Sequence, residues 1–443
     1  MPIFKNHLMA GILCIGIIII VYSTSLLKIE SLPDTFFTSK EIGLLFSVTA
    51  ILSCLIVPIS IIKTPVVINF LIIDILIVLY LIGLPLAHFF FYSSVSLSAS
   101  LIQISYGLIY LFIRVTNSYL RIRTVCLVSF SLVVLIFIIQ LLIGLGQYIT
   151  LIPAYYQSNI PTGFFSNPAP FGIMMASYTG GIFVLWIYAI LTKKHILFVL
   201  IFLLLLLSGA VLIFLTESRS AWLGLIFGIT LPLLILQRQR VLRSYFPIKK
   251  PIIFTCSILF IIILTYFYYI KPDSANGRIL IWISALNMIK NNTVFGVGLG
   301  NFFAKYIYCQ SDTLTSSTFL FDHFSNYASD VRYAFNDLLH SFAETGLFGF
   351  FLMISIFYFV IKNLLIGYCD RKEKLIRFAT ILNFGVLVVI GVAGLTSYPM
   401  QSIPVATTFW LAMAFFVSLS AKGQIRKKNI YIYKHIKIKY ATL

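Results

Sequence analysis

Charge is scarce in this chain: Asp, Glu, Lys and Arg together supply 10% of 443 residues, and only 13 residues are acidic. A soluble domain typically carries about 25% charged residues to keep its surface solvated, so that class is excluded. Cysteine chemistry is equally thin. Of six cysteines, Cys14, Cys54, Cys126 and Cys256 fall in apolar runs, Cys369 in a basic loop, and only Cys309 in a long polar stretch. No disulfide framework, CxxC pair or His/Cys metal spacing follows. There is no DxD pair for a metal-bound nucleotide sugar, no P-loop and no HExxH helix, so neither a cofactor nor a metal is expected. Strand-period alternation is missing too, which argues against a barrel.

What is abundant is apolar length. Hydrophobic residues make up 60% of the chain, and the mean hydropathy is +1.02. A span needs roughly 20 apolar residues, and lipid offers the backbone no hydrogen bonds, so repeated long apolar runs imply helices. Such runs cover 8–27, 41–62, 66–90, 97–113, 124–149, 168–191, 196–216, 220–237, 251–270, 338–361, 377–397 and 402–420. The first is too long and too poorly terminated for a cleaved signal peptide, so it reads as a span. The expectation is an all-α polytopic membrane protein of about 12 transmembrane helices, a single domain over 1–443.

Lysine and arginine test that topology, because positive charge is retained on the cytoplasmic side. With both termini cytoplasmic, 24 of the 32 basic residues fall inside and 8 outside, while ten of the 13 acidic residues fall outside. The net charge of +19 therefore records orientation rather than nucleic-acid binding. One long loop, 271–337, lies on the outer side, and the basic tail, 421–443, lies inside, where it either rests on anionic lipid or is disordered. Within the loop, Arg278 opens an apolar stretch ending at Lys290, expected as a short helix at the membrane surface, with Trp282 suited to the interface.

Polar groups beside apolar spans are costly and need a reason. Thr216-Glu217-Ser218-Arg219-Ser220-Ala221-Trp222 breaks two apolar runs into a tight outer hairpin, with Arg219 near a helix start at headgroup level. Such a guanidinium either grips phosphate oxygens through two parallel hydrogen bonds or serves as an anchor, paired with Glu217. Arg278 is placed at the same level, and two arginines converging on a diphosphate would hold it without a metal. Phe295-Gly-Val-Gly-Leu-Gly-Asn301 allows turns and close backbone approach, without the strand and spacing of a dinucleotide fingerprint. At the mouth of the tenth span, Asp337, His340, Ser341 and Glu344 are three or four apart and share a helix face. A histidine beside a carboxylate can take a proton from a hydroxyl; a capped helix start is the plainer reading. Asp74 lies inside the third span, with Lys63 as a candidate partner.

Gly-Arg278-Ile-Leu-Ile-Trp282, the glycine run ending at Asn301, Glu217-Ser-Arg219-Ser-Ala-Trp222, Glu344-Thr-Gly-Leu-Phe-Gly349 and Gly163-Phe-Phe-Ser-Asn167-Pro168 together resemble the O-antigen ligase and polymerase superfamily. The resemblance covers roughly 142–413. It implies transfer of a glycan from a polyprenyl (undecaprenyl) diphosphate carrier to an acceptor hydroxyl at the periplasmic face of the bacterial inner membrane. The acceptor would be lipid A core for a ligase, another carrier-linked repeat for a polymerase, or a protein Ser or Thr for an oligosaccharyltransferase. Arg219 and Arg278 match the family's diphosphate arginines, with Glu217, Trp282, Asn167, Asn336 and Glu344 as substrate-binding candidates. Where many ligases carry His-Asn, this chain has Phe335-Asn336, so His340 does not simply inherit the family histidine's role; Asp337 and His323 are the other candidate bases. A transporter of lipid-linked sugars is the rival from another class. The absence of related halves with broken mid-membrane helices and the clustering of polar groups at one face favour surface chemistry.

Overall fold

The computed structural model describes residues 11, 12, 14–17, 19, 20, 24, 39–50, 70–91, 96–154, 160–238, 272–368 and 373–440. Among them there is no strand. Among these described residues, nine helices are long and apolar enough to cross a membrane: Ile72–Phe90, Leu97–Tyr119, Ile122–Tyr148, Pro168–Leu191, Ile196–Leu215, Arg219–Gln237, Asp337–Leu365, Lys374–Ala393 and Ile403–Lys422. Each overlaps a span expected from the sequence. The run at 251–270 lies outside the described residues, as do most of the run at 8–27 and the latter part of the run at 41–62.

In chain order we label α1 (Ile72–Val78), which passes through a π-turn (Leu79–Gly83) into α2 (Leu84–Phe91), then α3 (Leu97–Tyr119), α4 (Ile122–Tyr148), α5 (Pro168–Leu191) and α6 (Ile196–Leu215). These are followed by α7 (Arg219–Arg238), α8 (Pro272–Asn291), α9 (Phe302–Thr315), α10 (Thr318–Phe324), α11 (Asp337–Tyr368), α12 (Lys374–Ala393) and α13 (Ile403–Tyr440). The helix of the last span continues as backbone into the segment expected as a basic tail. The surface helix α8 begins at Pro272, earlier than expected, so Arg278 sits in its second turn rather than at its start.

The most enclosed spans are α5, α12 and the first part of α13; the most apolar, α6, is the least enclosed and exposes Leu200, Leu204, Leu207 and Val211. This sorting follows membrane logic: lipid solvates leucine as well as another helix does, so helices associate through small residues and close packing. On α7, Gly224 and Gly228 are four apart and face α12, where a Cβ on Gly224 would stand 2.6 Å from the Val389 carbonyl oxygen.

Inside the bundle, Asp74 is fully buried and binds Arg114 bidentately, with Nε to Oδ1 at 2.6 Å and Nη2 to Oδ2 at 2.9 Å. Tyr110 donates a further bond of 2.6 Å to Oδ1, and Arg114 reaches Ser418 on α13 at 3.3 Å. Arg114 therefore neutralises Asp74; Lys63, the partner expected from the sequence, lies outside the described residues. The network ties α1, α3 and α13 together at the end of the bundle remote from the long loop.

Candidate active site

The loop ends of α7, α8 and α11 meet at one end of the bundle. The 216–218 hairpin closes with Glu217 at φ +52°, and Ser218 Oγ accepts from the Ala221 N–H at 3.4 Å, so Arg219 becomes the first residue of α7. Its Nη2 donates to Ser274 Oγ at 3.1 Å. Ser274 and Arg278 are one turn apart on α8 and share a face, which brings the two guanidinium groups within electrostatic reach of each other. Burial first, and the Arg219 charge second, push Arg278 down to about 10. Its Cζ lies 5.5 Å from the Phe335 ring centroid, and among the described residues no carboxylate pairs with it. Two gathered cations, one of them partly desolvated and without a counter-ion, form a place where an anion relieves the repulsion.

Beyond its cation–π contact with Phe335, three ring contacts lead from Arg278 to His340. Phe335, at φ +49°, meets Tyr398 edge-on at 5.0 Å. Tyr398 stacks on Tyr333 at 4.9 Å, and Tyr333 meets the His340 ring at 6.0 Å. Burial and Tyr333 raise the Tyr398 hydroxyl to about 12, partly offset by Arg278. Nothing in the spacing of these tyrosines announced them, because 333 and 398 approach only through the fold.

His340 is buried, and its Nδ1 accepts from the Ala334 N–H at 3.4 Å. That assignment leaves the proton on Nε2, which lies 3.5 Å from Glu344 Oε1. The same Oε1 accepts from the Phe302 N–H at 3.2 Å, so Glu344 also caps α9. Its second oxygen makes no hydrogen bond among the described residues. The pair stands at the wall of a cavity of about 410 Å³ that reaches into the bundle toward Tyr80 and Trp410.

The glycine run builds this corner. Gly346 interrupts α11 at φ +64°, ψ −164°, and Gly296 opposite it has φ +72°. The break frees backbone groups that a continuous helix would use: the Ala343 and Glu344 carbonyls accept from Val297 and Gly298 N–H at 2.9 and 3.0 Å, and the Leu347 N–H donates to Thr293 O at 2.9 Å. A Cβ on Gly346 would fall 2.3 Å from the Val294 oxygen, and one on Gly296 would fall 2.4 Å from the Glu344 carbonyl. The loop thus pairs edge-on with the broken helix and leaves the Glu344 side chain pointing at the α9 N-terminus.

The remaining sequence candidates make contacts with the protein itself. Trp282 Nε1 donates to Ala334 O at 3.0 Å, fixing the residue whose N–H holds His340. Asn336 Oδ1 caps α11, accepting from Leu338 and Leu339 N–H at 3.0 and 3.1 Å. Asn167 Oδ1 caps α5 through the Ala169 N–H at 2.9 Å. Asp337 shares a helix face with His340 yet lines a different, apolar cavity. There Asp337 Oδ2 accepts from Met400 N–H at 3.2 Å and its own N–H donates to Gly394 O, pinning the α12–α13 turn. His323 is exposed on α10 and stacks on Phe319 of its own helix.

Residues 202–354 match the family model described as O-antigen ligase. The superfamily resemblance is upheld. The matched segment carries Arg219, Arg278, His340 and Glu344, and stops short of Tyr398 and Trp410. No curated protein matches the chain. The O-antigen ligase match supports a ligase- or polymerase-like activity, with a lipid-linked glycan and a glycan acceptor as substrates, in a multi-pass bacterial membrane protein.

Proposed function

We propose that this protein transfers a glycan from undecaprenyl diphosphate to an acceptor hydroxyl, that of lipid A core, at the periplasmic face of the inner membrane. The observation that carries the reading is the gathering of Arg219 and Arg278 at one end of the bundle, with no carboxylate on Arg278 among the described residues. Guanidinium forks match phosphate oxygens, and a pyrophosphate is the leaving group that needs such help. Charge placement supports the orientation. Arg121, Arg123, Lys193, Lys194, Lys362 and Arg377 lie at the opposite end of the spans, which the positive-inside rule assigns to the cytoplasm.

In this mechanism the diphosphate sits between the arginines while the prenyl chain stays among the lipid-facing helices. The acceptor oxygen attacks the anomeric carbon, the carbon–oxygen bond to the phosphate breaks, and the electron pair departs on the diphosphate, where both cations stabilise it. Glu344 takes the acceptor's proton on its second oxygen, and His340 holds the carboxylate in place through Nε2–H. Asp337 is a positioning residue rather than a base.

Deleting the gene and examining the cell's lipopolysaccharide tests the reading. A ligase predicts loss of all capped chains; core bearing a single repeat assigns the same chemistry to a polymerase. An unaltered profile, with no change in glycosylated protein, rejects the transferase.

A further inference from the structure

We infer that a groove between α4, α5 and α6, at the end of the spans opposite the Arg219–Arg278 pair, holds one acyl chain of an anionic phospholipid whose phosphate rests on Lys194. The inference does not depend on the transferase reading, because the groove and the arginine pair lie at opposite ends of the bundle.

α4 and α6 both pack on α5, and they touch each other along the half nearer the arginines. A Cβ on Gly144 would stand 2.6 Å from Leu212 Cδ2, and one on Gly209 would stand 3.0 Å from the Phe137 ring. Neither helix has a glycine between these contacts and its other end, so side-chain bulk keeps the two apart there. A cavity of about 480 Å³ opens in the gap, with Ser131 and Leu135 of α4 on one rim, Phe198 and Phe202 of α6 on the other, and Leu185 and Ala189 of α5 as its floor. At about 1.5 Å per helical residue, Ser131 lies about 9 Å beyond Phe137 and Phe198 about 16 Å beyond Gly209, so the space runs lengthwise along the spans. Ser131, Leu135 and Phe198 are exposed, which opens it sideways to lipid.

Apart from Ser131 and Tyr188, every side chain of the wall is apolar until Lys194. The chain leaves α5 through Lys193 at φ +51°, and the Lys194 N–H returns to Ala189 O at 3.0 Å, which roots the Lys194 side chain beside the floor of the groove. Lys194 makes no ion pair among the described residues. The shape and the charge select the occupant together. A void between bulky side chains forfeits dispersion contacts that a chain-shaped apolar molecule restores, and an ammonium where the apolar wall ends meets a phosphate. Bulk lipid solvates a chain as well as a groove does, so selectivity falls to the head, where a basic residue favours a net negative lipid. A lysine that only sets orientation would show no such preference.

The test is native mass spectrometry of the full chain in neutral detergent, with phosphatidylglycerol, phosphatidylcholine of the same chains, and chainless glycerol 3-phosphate as probes. One saturable phosphatidylglycerol per chain is expected, bound about fivefold more tightly than phosphatidylcholine, with no binding of glycerol 3-phosphate. Lys194→Gln should bring the two lipids to parity. Ser131→Trp and, independently, Leu135→Trp fill the groove from exposed positions and should each abolish the saturable site, whereas Ser131→Ala should keep it. Equal affinity for the two lipids in the wild type, a preference that survives Lys194→Gln, or glycerol 3-phosphate bound as tightly as phosphatidylglycerol overturns the inference. So does wild-type binding by either tryptophan variant. A dimer that Ser131→Trp disperses would assign the groove to a second copy of the chain and overturn it as well.

Discussion

Replacing Arg278 separates an anion clamp from an interfacial anchor. The guanidinium has a cation–π contact with Phe335 and a like-charged neighbour in Arg219, but no carboxylate among the described residues. Arg278→Ala therefore orphans no buried acid and removes a repulsion, so stability should hold or rise slightly. The loss falls on the donor. Each charge-assisted hydrogen bond is worth about 1.5–3 kcal/mol, and two parallel ones to phosphate oxygens amount to about 3–6 kcal/mol. At about 1.4 kcal/mol per decade, kcat/KM for transfer should drop by about 100-fold to 10,000-fold. Arg278→Lys keeps the charge and loses the fork, so it should forfeit about one bond, or roughly 10- to 100-fold. The assay is conversion of carrier-linked glycan to product in detergent, followed by mass spectrometry, with membrane insertion checked by fractionation. An alanine variant within threefold of wild type would refute the clamp, as would lysine and alanine variants that fall equally.

Two further outcomes follow from the same geometry. Asp74→Ala strands Arg114 inside the bundle and should cost about 3–5 kcal/mol; thermal unfolding in detergent should fall clearly and recover in part when Arg114→Leu is added. Gly224→Ala puts a methyl 2.6 Å from the Val389 carbonyl, and overpacking of about 1–3 kcal/mol should lower the unfolding temperature, whereas no shift would mean α7 and α12 can separate at little cost.

How much of this was legible depended on whether the signal was local. Apolar runs announce spans because lipid imposes the same length on every crossing, and the runs at 168–191 and 196–216 agree with α5 and α6 to within a residue at each end. Arg219 stood out because a cation between two apolar runs is expensive. The His340–Glu344 pair was readable from its spacing of four, which one helix turn enforces. The same spacing put Asp337 on the shared face, and only the fold adds that the turn after α12 supplies a Met400 N–H to its carboxylate. Trp282, Asn336 and Asn167 were named as ligand contacts one at a time, and the backbone hydrogen bonds they make in the fold were not readable at that level. Tyr333 and Tyr398 could not be read as a pair, since they come from separate loops and stack only through the fold.

The glycine run shows why that last kind of information is hidden. A broken helix at membrane depth is tolerated only if its freed carbonyls find new donors, and Gly296 and Gly346 meet that condition by letting two backbones touch where any side chain would collide. The benefit appears elsewhere: the break turns the Glu344 carboxylate toward the first N–H of α9, so one oxygen is held by Phe302 and His340 while the other remains open to the cavity. Read as a linear motif, the glycines indicate a turn. In the fold they hold a carboxylate in a fixed direction between a helix N-terminus and a cavity, and Arg278 lies at the far end of a ladder of rings. Under the proposed mechanism, leaving-group stabilisation and proton removal therefore fall to separate elements, α7 and α8 for one and the broken α11 for the other.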